Sequence, residues 1–179
     1  MTNRKKLVTE MGRIDRDAFA QSQKLPLVVV LDNVRSLHNV GSVFRTSDAF
    51  RVECIMLCGI TATPPSAEMH KTALGAEDVV DWKYYESTMD AVAELRSQGY
   101  RVYSIELCQG SIALQDFVTA PGERYAVVLG NEVKGVQQDV VDASDGAIEI
   151  PQFGTKHSLN VSVTAGMVIW EFAKKLGLV

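Results

Sequence analysis

The chain has 179 residues, of which 46% are hydrophobic and 22% are charged, and its formal net charge is −4. These values are typical of one soluble globular domain with a sizeable core, and they do not indicate a strongly basic nucleic-acid binder. No apolar run approaches the roughly 18–20 residues that a transmembrane helix needs, and residues 1–23 lack the apolar stretch of a signal peptide. We therefore expect a cytoplasmic protein without a membrane-spanning segment.

Positive charge is concentrated in two places along the chain. Residues 1–24 contain six basic residues against three acidic ones. A second basic group surrounds Asn39 and consists of Arg35, His38, Arg45 and Arg51. Local patches of this kind can bind phosphates on a protein of acidic total charge. The alternative is that these charges are merely solvated, and composition alone does not decide between the two.

The order of the predicted elements indicates an α/β domain. Residues 27–31 form a continuous apolar run, typical of a strand buried on both faces, and residues 38–50 follow with helical spacing. Further strands are predicted at 54–57, within 79–84, and at 101–107, 125–129 and 147–150. Further helices are predicted within 67–74, and at 87–98, 137–141 and 158–176. Alternating strands and helices predict a three-layer fold with a mostly parallel sheet. We expect one domain over residues 25–179, preceded by a basic helical appendage over residues 1–24.

The cysteines and histidines give no sign of a metal site. Cys54, Cys58 and Cys108 are an odd number in apolar surroundings, and their spacing is not that of a zinc site. We predict that they are buried free thiols in a reducing compartment. No pair of histidines has metal-binding spacing either, and we expect no metal.

A first polar segment opens the helix that follows the first predicted strand, and it contains Asn39, Gly41 and Arg45. One interpretation is structural, with a helix cap, a glycine for close packing and an arginine in solvent. The other is an anion site at the helix N-terminus, towards which Arg45 projects from the next turn. These residues alone leave both interpretations open.

A second polar segment, Gly130-Asn131-Glu132 with Gly135, follows a predicted buried strand. It is neither a dinucleotide-binding fingerprint nor a phosphate loop, because the Gly-x-Gly-x-x-Gly and Gly-Lys-Ser/Thr patterns are absent. It is compatible with a simple turn in which the glycines supply positive φ. It is also compatible with a backbone cradle for an adenosine-bearing ligand, in which glycine permits close approach.

A third polar segment begins the last predicted helix. Ser158 would be a good N-cap, but Asn160 and Ser162 add more polar groups to the first turn than capping needs. The segment follows the predicted strand that ends in Ile150 and Pro151. Ligands of α/β proteins collect at the carboxyl ends of the strands, so the three segments together predict one composite site.

Together and in this order, the three segments resemble the motifs of the SpoU (TrmH-like) family of RNA ribose 2′-O-methyltransferases, within the SPOUT superfamily. The family's first motif matches Asn39, Gly41 and Arg45. Its second, a strand followed by Gly-Asn-Glu-x-x-Gly, matches residues 130–135. Its third, Ile-Pro followed by a loop and Ser-Leu-Asn-Val-Ser, matches residues 150–162. The resemblance extends over nearly the whole chain.

The resemblance implies a parallel sheet whose C-terminal part is threaded into a deep trefoil knot, one of the rare exceptions to unknotted chains. It implies the cofactor S-adenosyl-L-methionine, held by knot loops around Leu107, Gly130, Ile150 and Leu159. Family members usually work as homodimers that pair through the knot region. In this chain the implied dimer contacts on the last helix are Val163, Met167 and Trp170.

The resemblance also implies a reaction, the transfer of a methyl group to a ribose 2′-hydroxyl of RNA without a metal. By resemblance, Arg45 activates the hydroxyl, Asn39 and Glu132 orient the ribose and the RNA, and Ser158 and Asn160 shape the pocket. A guanidinium resists deprotonation at neutral pH, so Arg45 is assigned to activation rather than to removal of the proton. We expect tRNA rather than rRNA as the substrate.

Two alternatives belong to other functional classes. The first is a non-catalytic RNA- or nucleotide-binding module on the same scaffold. The presence of all five polar site residues disfavours it, because a module without activity need not keep them. The second is a flavodoxin-like domain, which would need a phosphate loop after the first strand.

Overall fold

The structure is a computed structural model that describes residues 3–179. Its strands are β1 (Leu25–Asp32), β2 (Val52–Cys58), β3 (Trp82–Tyr85), β4 (Tyr100–Ile105), β5 (Ile112–Ala113), β6 (Arg124–Leu129) and β7 (Gly146–Glu149). Its α-helices are α1 (Arg16–Gln21), α2 (Leu37–Ala49), α3 (Ala67–Ala73), α4 (Thr88–Ser97), α5 (Gln138–Ala143) and α6 (Val161–Lys175). Short 3-10 helices lie at Val8–Glu10 and Ala76–Asp78.

The seven strands form one sheet in the order β3-β2-β1-β6-β4-β7-β5. Each pairing between neighbouring strands of this sheet is parallel, which confirms the predicted parallel sheet. Parallel strands need crossover connections, and the helices between them cover both faces.

The core is divided by the sheet into two layers of side chains. Leu27, Val29 and Leu31 of β1 pack in one layer with side chains of α2, α3 and α6. Val28 and Val30 point to the opposite face and pack with side chains of α4 and α5. This alternation follows from the period of two residues in a strand, and it confirms the three-layer α/β arrangement.

The start of α6 differs from the prediction. The helix begins at Val161, and its N-cap is Asn160 rather than Ser158. The Asn160 side chain accepts hydrogen bonds from the N–H groups of Ser162 and Val163, which leaves Ser158 in the preceding loop. The two-residue strand β5 was not predicted, because so short a segment has no recognisable periodicity.

The N-terminal segment, whose first two residues lie outside the described part, contributes to the main core. Asp15 caps α1, and Phe19 of this helix is only 4% exposed within the layer that also contains α2 and α6. The Lys24 ammonium lies 3.4 Å from the centre of the Phe19 ring. Residues 3–7, in contrast, are exposed.

The prediction of buried thiols holds only in part. Cys58 is buried, whereas Cys54 and Cys108 are half-buried, and all three are free.

The described helices include none with both the length and the apolar character to cross a membrane.

Strands β1, β4, β6 and β7 end at one edge of the sheet because they are parallel neighbours. The three polar segments singled out in the sequence follow β1, β6 and β7, so the topology brings them to this edge.

Candidate active site

The three polar segments meet at the side chain of Asn39. Its amide Nδ2 donates a hydrogen bond to Glu132 Oε1 at 2.9 Å, from the loop after β6. Its Oδ1 accepts one from Asn160 Nδ2 at 3.1 Å, from the N-terminus of α6. These bonds join residues 93 and 121 positions apart, so the structure brings together three of the predicted site residues.

The Asn39 amide is held in one orientation. Ser162, to which the sequence alone assigns no role in the site, places its hydroxyl 3.4 Å from Asn39 Oδ1 and 2.7 Å from Asn160 Oδ1. Ser36, and not Asn39, is the N-cap of α2, since its side chain accepts the Asn39 N–H. The Asn39 side chain is thereby free to connect the other two segments.

The loop after β6 is folded back on itself. Asn131 and Gly135 exchange both backbone hydrogen bonds, at 2.9 and 3.0 Å. A Cβ atom on Gly130 would lie 2.1 Å from the carbonyl carbon of Gly135 and from the nitrogen of Val136. Gly130 is therefore required because the loop approaches its own backbone, a reason that neither interpretation of the sequence, positive φ or close approach to a ligand, had included.

Gly135 is constrained in two ways. Its φ of +69° lies in the left-handed region, and an added Cβ would meet the Glu106 carboxylate at 2.1 Å. This carboxylate accepts hydrogen bonds from the N–H groups of Leu107 and Val136 at 2.9 and 3.0 Å. Glu106, which sequence reasoning missed, thus connects the loops after β4 and β6.

A cavity of about 470 Å³ opens between the loops after β4, β6 and β7. All four predicted cofactor-binding residues line it, namely Leu107, Gly130, Ile150 and Leu159. Glu132 and Ser158 line it as well. Its volume lies within the range of roughly 300–1,000 Å³ that is usual for small-molecule sites.

The walls of the cavity carry more negative than positive charge. Glu106, Glu132 and Glu149 line it, against Lys134 as the one Lys or Arg side chain on the described walls. The Glu149 carboxylate accepts a hydrogen bond from the Ser111 hydroxyl at 2.6 Å. An excess of carboxylates favours a ligand that bears a net positive charge.

Cys108 also lines the cavity, but it is not activated as a nucleophile. Burial raises the pKa of its thiol, and the carboxylate of Glu106 adds to the rise. A raised pKa keeps the thiol protonated at neutral pH, and the thiolate is the reactive form.

Arg45 lies outside this arrangement. It is exposed on α2, six residues beyond Asn39, which corresponds to about 9 Å along the helix axis. Within residues 3–179 its side chain makes no hydrogen bond or ion pair, and Arg45, Asn39 and Asn160 are not among the residues that line the cavity. Its guanidinium is accessible to an external anion.

Gly41, the remaining residue of the first segment, has a structural role. An added Cβ would lie 2.2 Å from the Thr72 hydroxyl and 2.4 Å from the Met69 carbonyl oxygen. Gly41 therefore allows α2 and α3 to pack closely.

Among the described residues, no group of three or more His, Cys, Asp or Glu side chains is arranged to hold a metal ion.

Comparison with known proteins identifies relatives along most of the chain. A family model described as SpoU rRNA Methylase family matches residues 26–170. A 23S rRNA (guanosine-2′-O-)-methyltransferase of Vibrio parahaemolyticus is 29% identical over 172 residues, which are 96% of this chain and 68% of the relative. A tRNA (guanosine(18)-2′-O)-methyltransferase of Thermus thermophilus is 29% identical over 91% of this chain and 82% of its own length.

A solved structure has the same fold. The AdoMet-bound rRNA methyltransferase from Sinorhizobium meliloti superposes with a TM-score of 0.77 at 26% sequence identity, covering 85% of this chain and 60% of its own. The chain thus spans about two thirds of the length of the Vibrio enzyme and less of the Sinorhizobium enzyme.

Proposed function

The chain belongs to the SpoU rRNA Methylase family, and from this premise we propose that it is an S-adenosylmethionine-dependent methyltransferase acting on a ribose 2′-hydroxyl of RNA. The observation that carries the proposal is the junction of Asn39, Glu132 and Asn160 beside the cavity. Relatives that act on tRNA and on rRNA, and a related structure with AdoMet bound, support it.

The cavity has the size and charge that S-adenosylmethionine requires. Its excess of carboxylates suits a ligand whose sulfonium, ammonium and carboxylate groups sum to one positive charge. We assign the binding of the cofactor to the walls formed by Leu107, Gly130, Ile150 and Leu159. When bound there, the cofactor would supply an electrophilic methyl group.

Asn39 and Glu132 are assigned to orienting the ribose and the RNA. The bond from Asn160 fixes the Asn39 carbonyl, so the Asn39 amino group is directed at the Glu132 carboxylate. Glu132 also lines the cavity, which places a hydrogen-bond acceptor at its boundary with α2. An acceptor held in advance costs little reorganisation when the hydroxyl binds. Ser158, which lines the cavity, is assigned to shaping the pocket, whereas Asn160, which does not line it, acts through its hydrogen bond to Asn39.

Arg45 is assigned to activating the hydroxyl together with an RNA phosphate. Its exposed guanidinium makes no intramolecular bond within residues 3–179 and can bind a phosphate in a bidentate manner. A guanidinium remains protonated at neutral pH, so the proton of the hydroxyl passes to another acceptor.

We also propose the knotted form of the fold for this chain. Strand β6 is inserted between β1 and β4, and β7 lies between β4 and β5, so the connection from β6 to β7 must pass β4 and the connection from β4 to β5 must pass β7. The hydrogen bonds of Glu106 hold the loops after β4 and β6 together at this edge. Residues 25–179 would form the methyltransferase domain, with residues 1–24 as a segment that contacts RNA.

A homodimer is proposed through α6. Val163, Met167 and Trp170 of this helix are 53%, 42% and 48% exposed, although the helix also has a fully apolar buried face. The ring of Trp170 packs edge-on against that of Phe50, with 5.7 Å between the ring centres. This contact extends the apolar surface to the end of α2. Burial of such a surface by a second copy would be favourable.

We propose tRNA as the substrate and, accordingly, the cytoplasm as the location. The tRNA (guanosine(18)-2′-O)-methyltransferase of Thermus thermophilus, 29% identical over 91% of this chain, supports tRNA. Methyl-labelled S-adenosylmethionine incubated with total tRNA, and separately with rRNA, tests the choice. Label in alkali-resistant dinucleotides of tRNA is expected, since 2′-O-methylation blocks hydrolysis.

Two variants make the test specific to the junction. Asn39→Ala should abolish most of the label, whereas His38→Ala should not, because the His38 ring faces Glu68 of α3 at 3.7 Å. RNA binding by the wild-type protein without labelling of any RNA would favour the non-catalytic module. Absence of binding at millimolar S-adenosylmethionine would contradict the proposed methyltransferase activity.

A further inference from the structure

A buried carboxylate lies at the end of β1 and belongs to none of the three motifs. Asp32, the last residue of β1, is 0% exposed. It accepts four hydrogen bonds, which come from Thr88 Oγ1 at 2.6 Å, Asn33 Nδ2 at 2.8 Å, and Gln137 Nε2 and N at 2.8 and 2.9 Å. Within residues 3–179 it forms no ion pair. Burial of a charged carboxylate is costly unless its oxygens accept hydrogen bonds, and both oxygens of Asp32 do so.

Two of the four donors belong to the loop that walls the cavity. Gln137 directly follows residues 129–136, all of which line the cavity, and it donates both its backbone N–H and its side-chain amide to Asp32. Asp32 itself does not line the cavity. Its effect on a ligand must therefore be transmitted through the loop.

The end of β1 also holds the beginning of this loop. The carbonyl oxygen of Asn33 accepts a hydrogen bond from Asn131 Nδ2 at 2.8 Å. Asp32 and Asn33 thus hold both ends of the loop that starts at Gly130. From the other side Glu106 accepts the N–H of Val136, so two carboxylates bind consecutive backbone amides, those of residues 136 and 137.

We propose that Asp32 is a positioning residue that fixes loop 130–137 in the conformation that the cofactor binds. A carboxylate is suited to this role because it accepts from four donors at once, and hydrogen bonds to a charged acceptor are stronger than those between neutral groups. The identity of the ligand rests on the proposed function, but the control of the loop by Asp32 does not.

Asp32→Asn tests the proposal, because it keeps the size of the side chain but replaces one acceptor by a donor that opposes the donors of Gln137. Amide hydrogen exchange without cofactor should be about tenfold faster or more in peptides covering residues 130–137, and unchanged in β2. By calorimetry the dissociation constant of S-adenosylmethionine should rise about tenfold. Because Asp32 touches no reacting atom, saturating cofactor should restore kcat while KM for the cofactor stays high.

Asp145→Asn is the matched control. Asp145 also accepts a backbone N–H, that of Val102 at 2.8 Å, but at the amino end of β7, the edge opposite the cavity. It should lower thermal stability without changing exchange in loop 130–137 or cofactor affinity. If Asp32→Asn does not fold, Gln137→Ala serves instead, with about threefold changes in both measurements because only the side-chain bond is removed.

The outcomes separate this proposal from the proposed function. Unchanged exchange of the loop in folded Asp32→Asn or Gln137→Ala, or equal effects of Asp145→Asn, would overturn the role of Asp32. Failure of the wild-type protein to bind S-adenosylmethionine would instead count against the proposed function. In that case the exchange measurement still decides whether Asp32 controls the loop.

Discussion

Gly130→Ala is expected to weaken cofactor binding from within the loop. The new Cβ would lie 2.1 Å from two backbone atoms of residues 135 and 136, whereas ordinary contacts begin near 3.4 Å, so this backbone must shift by more than 1 Å. Such a shift breaks the Glu106 bond to the Val136 N–H and the paired bonds between Asn131 and Gly135. Three bonds at about 0.5–1.5 kcal/mol each suggest a loss of about 1.5–4.5 kcal/mol in the free energy of unfolding.

Urea unfolding measures that loss, and calorimetry measures the affinity for S-adenosylmethionine. Gly154→Ala is the control, because Gly154 lies in a nearby loop, has no positive φ, and its added Cβ would meet nothing within 4 Å. The control should change neither quantity by more than about 0.5 kcal/mol. Wild-type cofactor affinity in Gly130→Ala would refute the reasoning, since it would mean that the observed fold of the loop is not what the cofactor requires.

The remaining predictions concern RNA and the dimer. Arg45→Ala should lower the single-turnover rate at saturating RNA by roughly 10²–10³-fold with the fold and cofactor affinity intact, and Arg45→Lys should not restore it; a wild-type rate would reassign Arg45 to RNA docking. Lys5→Ala with Lys6→Ala should reduce the slope of log affinity against log salt by about 0.7–0.9 for each RNA phosphate that is no longer neutralised, and an unchanged slope would mean that these charges are merely solvated. Truncation of the whole segment is a poorer test, because it removes Phe19 from the core. Gly166→Ala should raise the free energy of unfolding by about 0.5–1 kcal/mol, because the Cβ would meet nothing within 4 Å; destabilisation would indicate that a partner's backbone approaches α6 at this point.

The sequence predicted the elements of the sheet well where periodicity was strong. The run at residues 27–31 lies within β1, and the alternating segment 101–107 overlaps β4, although its last two residues belong to the loop. The start of α6 was predicted three residues too early, because Ser158 and Asn160 are both good caps. In the structure Asn160 caps the helix and also bonds Asn39, 121 positions away, a tertiary contact that has no local signal in the sequence.

The site was predictable to the extent that its residues follow strands. Parallel topology carries Asn39, Glu132 and Asn160 to one edge. The four cofactor-binding residues were implied by the family resemblance, and all four line the cavity. Glu106 and Asp32 escaped notice because each is a lone acidic residue at a strand end, without a motif around it. Glu106 accepts a hydrogen bond from the backbone N–H of Val136, 30 positions away, and Asp32 accepts one from the N–H of Gln137, 105 positions away. Such distant contacts leave no local pattern.

Gly130 and Asp32 act on the same loop by different physical routes, which gives a last test of what determines cofactor affinity. Gly130→Ala displaces the backbone of residues 135 and 136 sterically, and Asp32→Asn removes the acceptor that holds residue 137. If cofactor affinity depends on the conformation of the whole loop, Gly130→Ala alone already releases loop 130–137. Adding Asp32→Asn then has little further effect. The loss of affinity in the double variant should then be smaller than the sum of the two single losses, by about 0.5–3 kcal/mol. Calorimetry on the four proteins of this cycle measures the difference, and additive losses would mean that the two residues support the cofactor site independently.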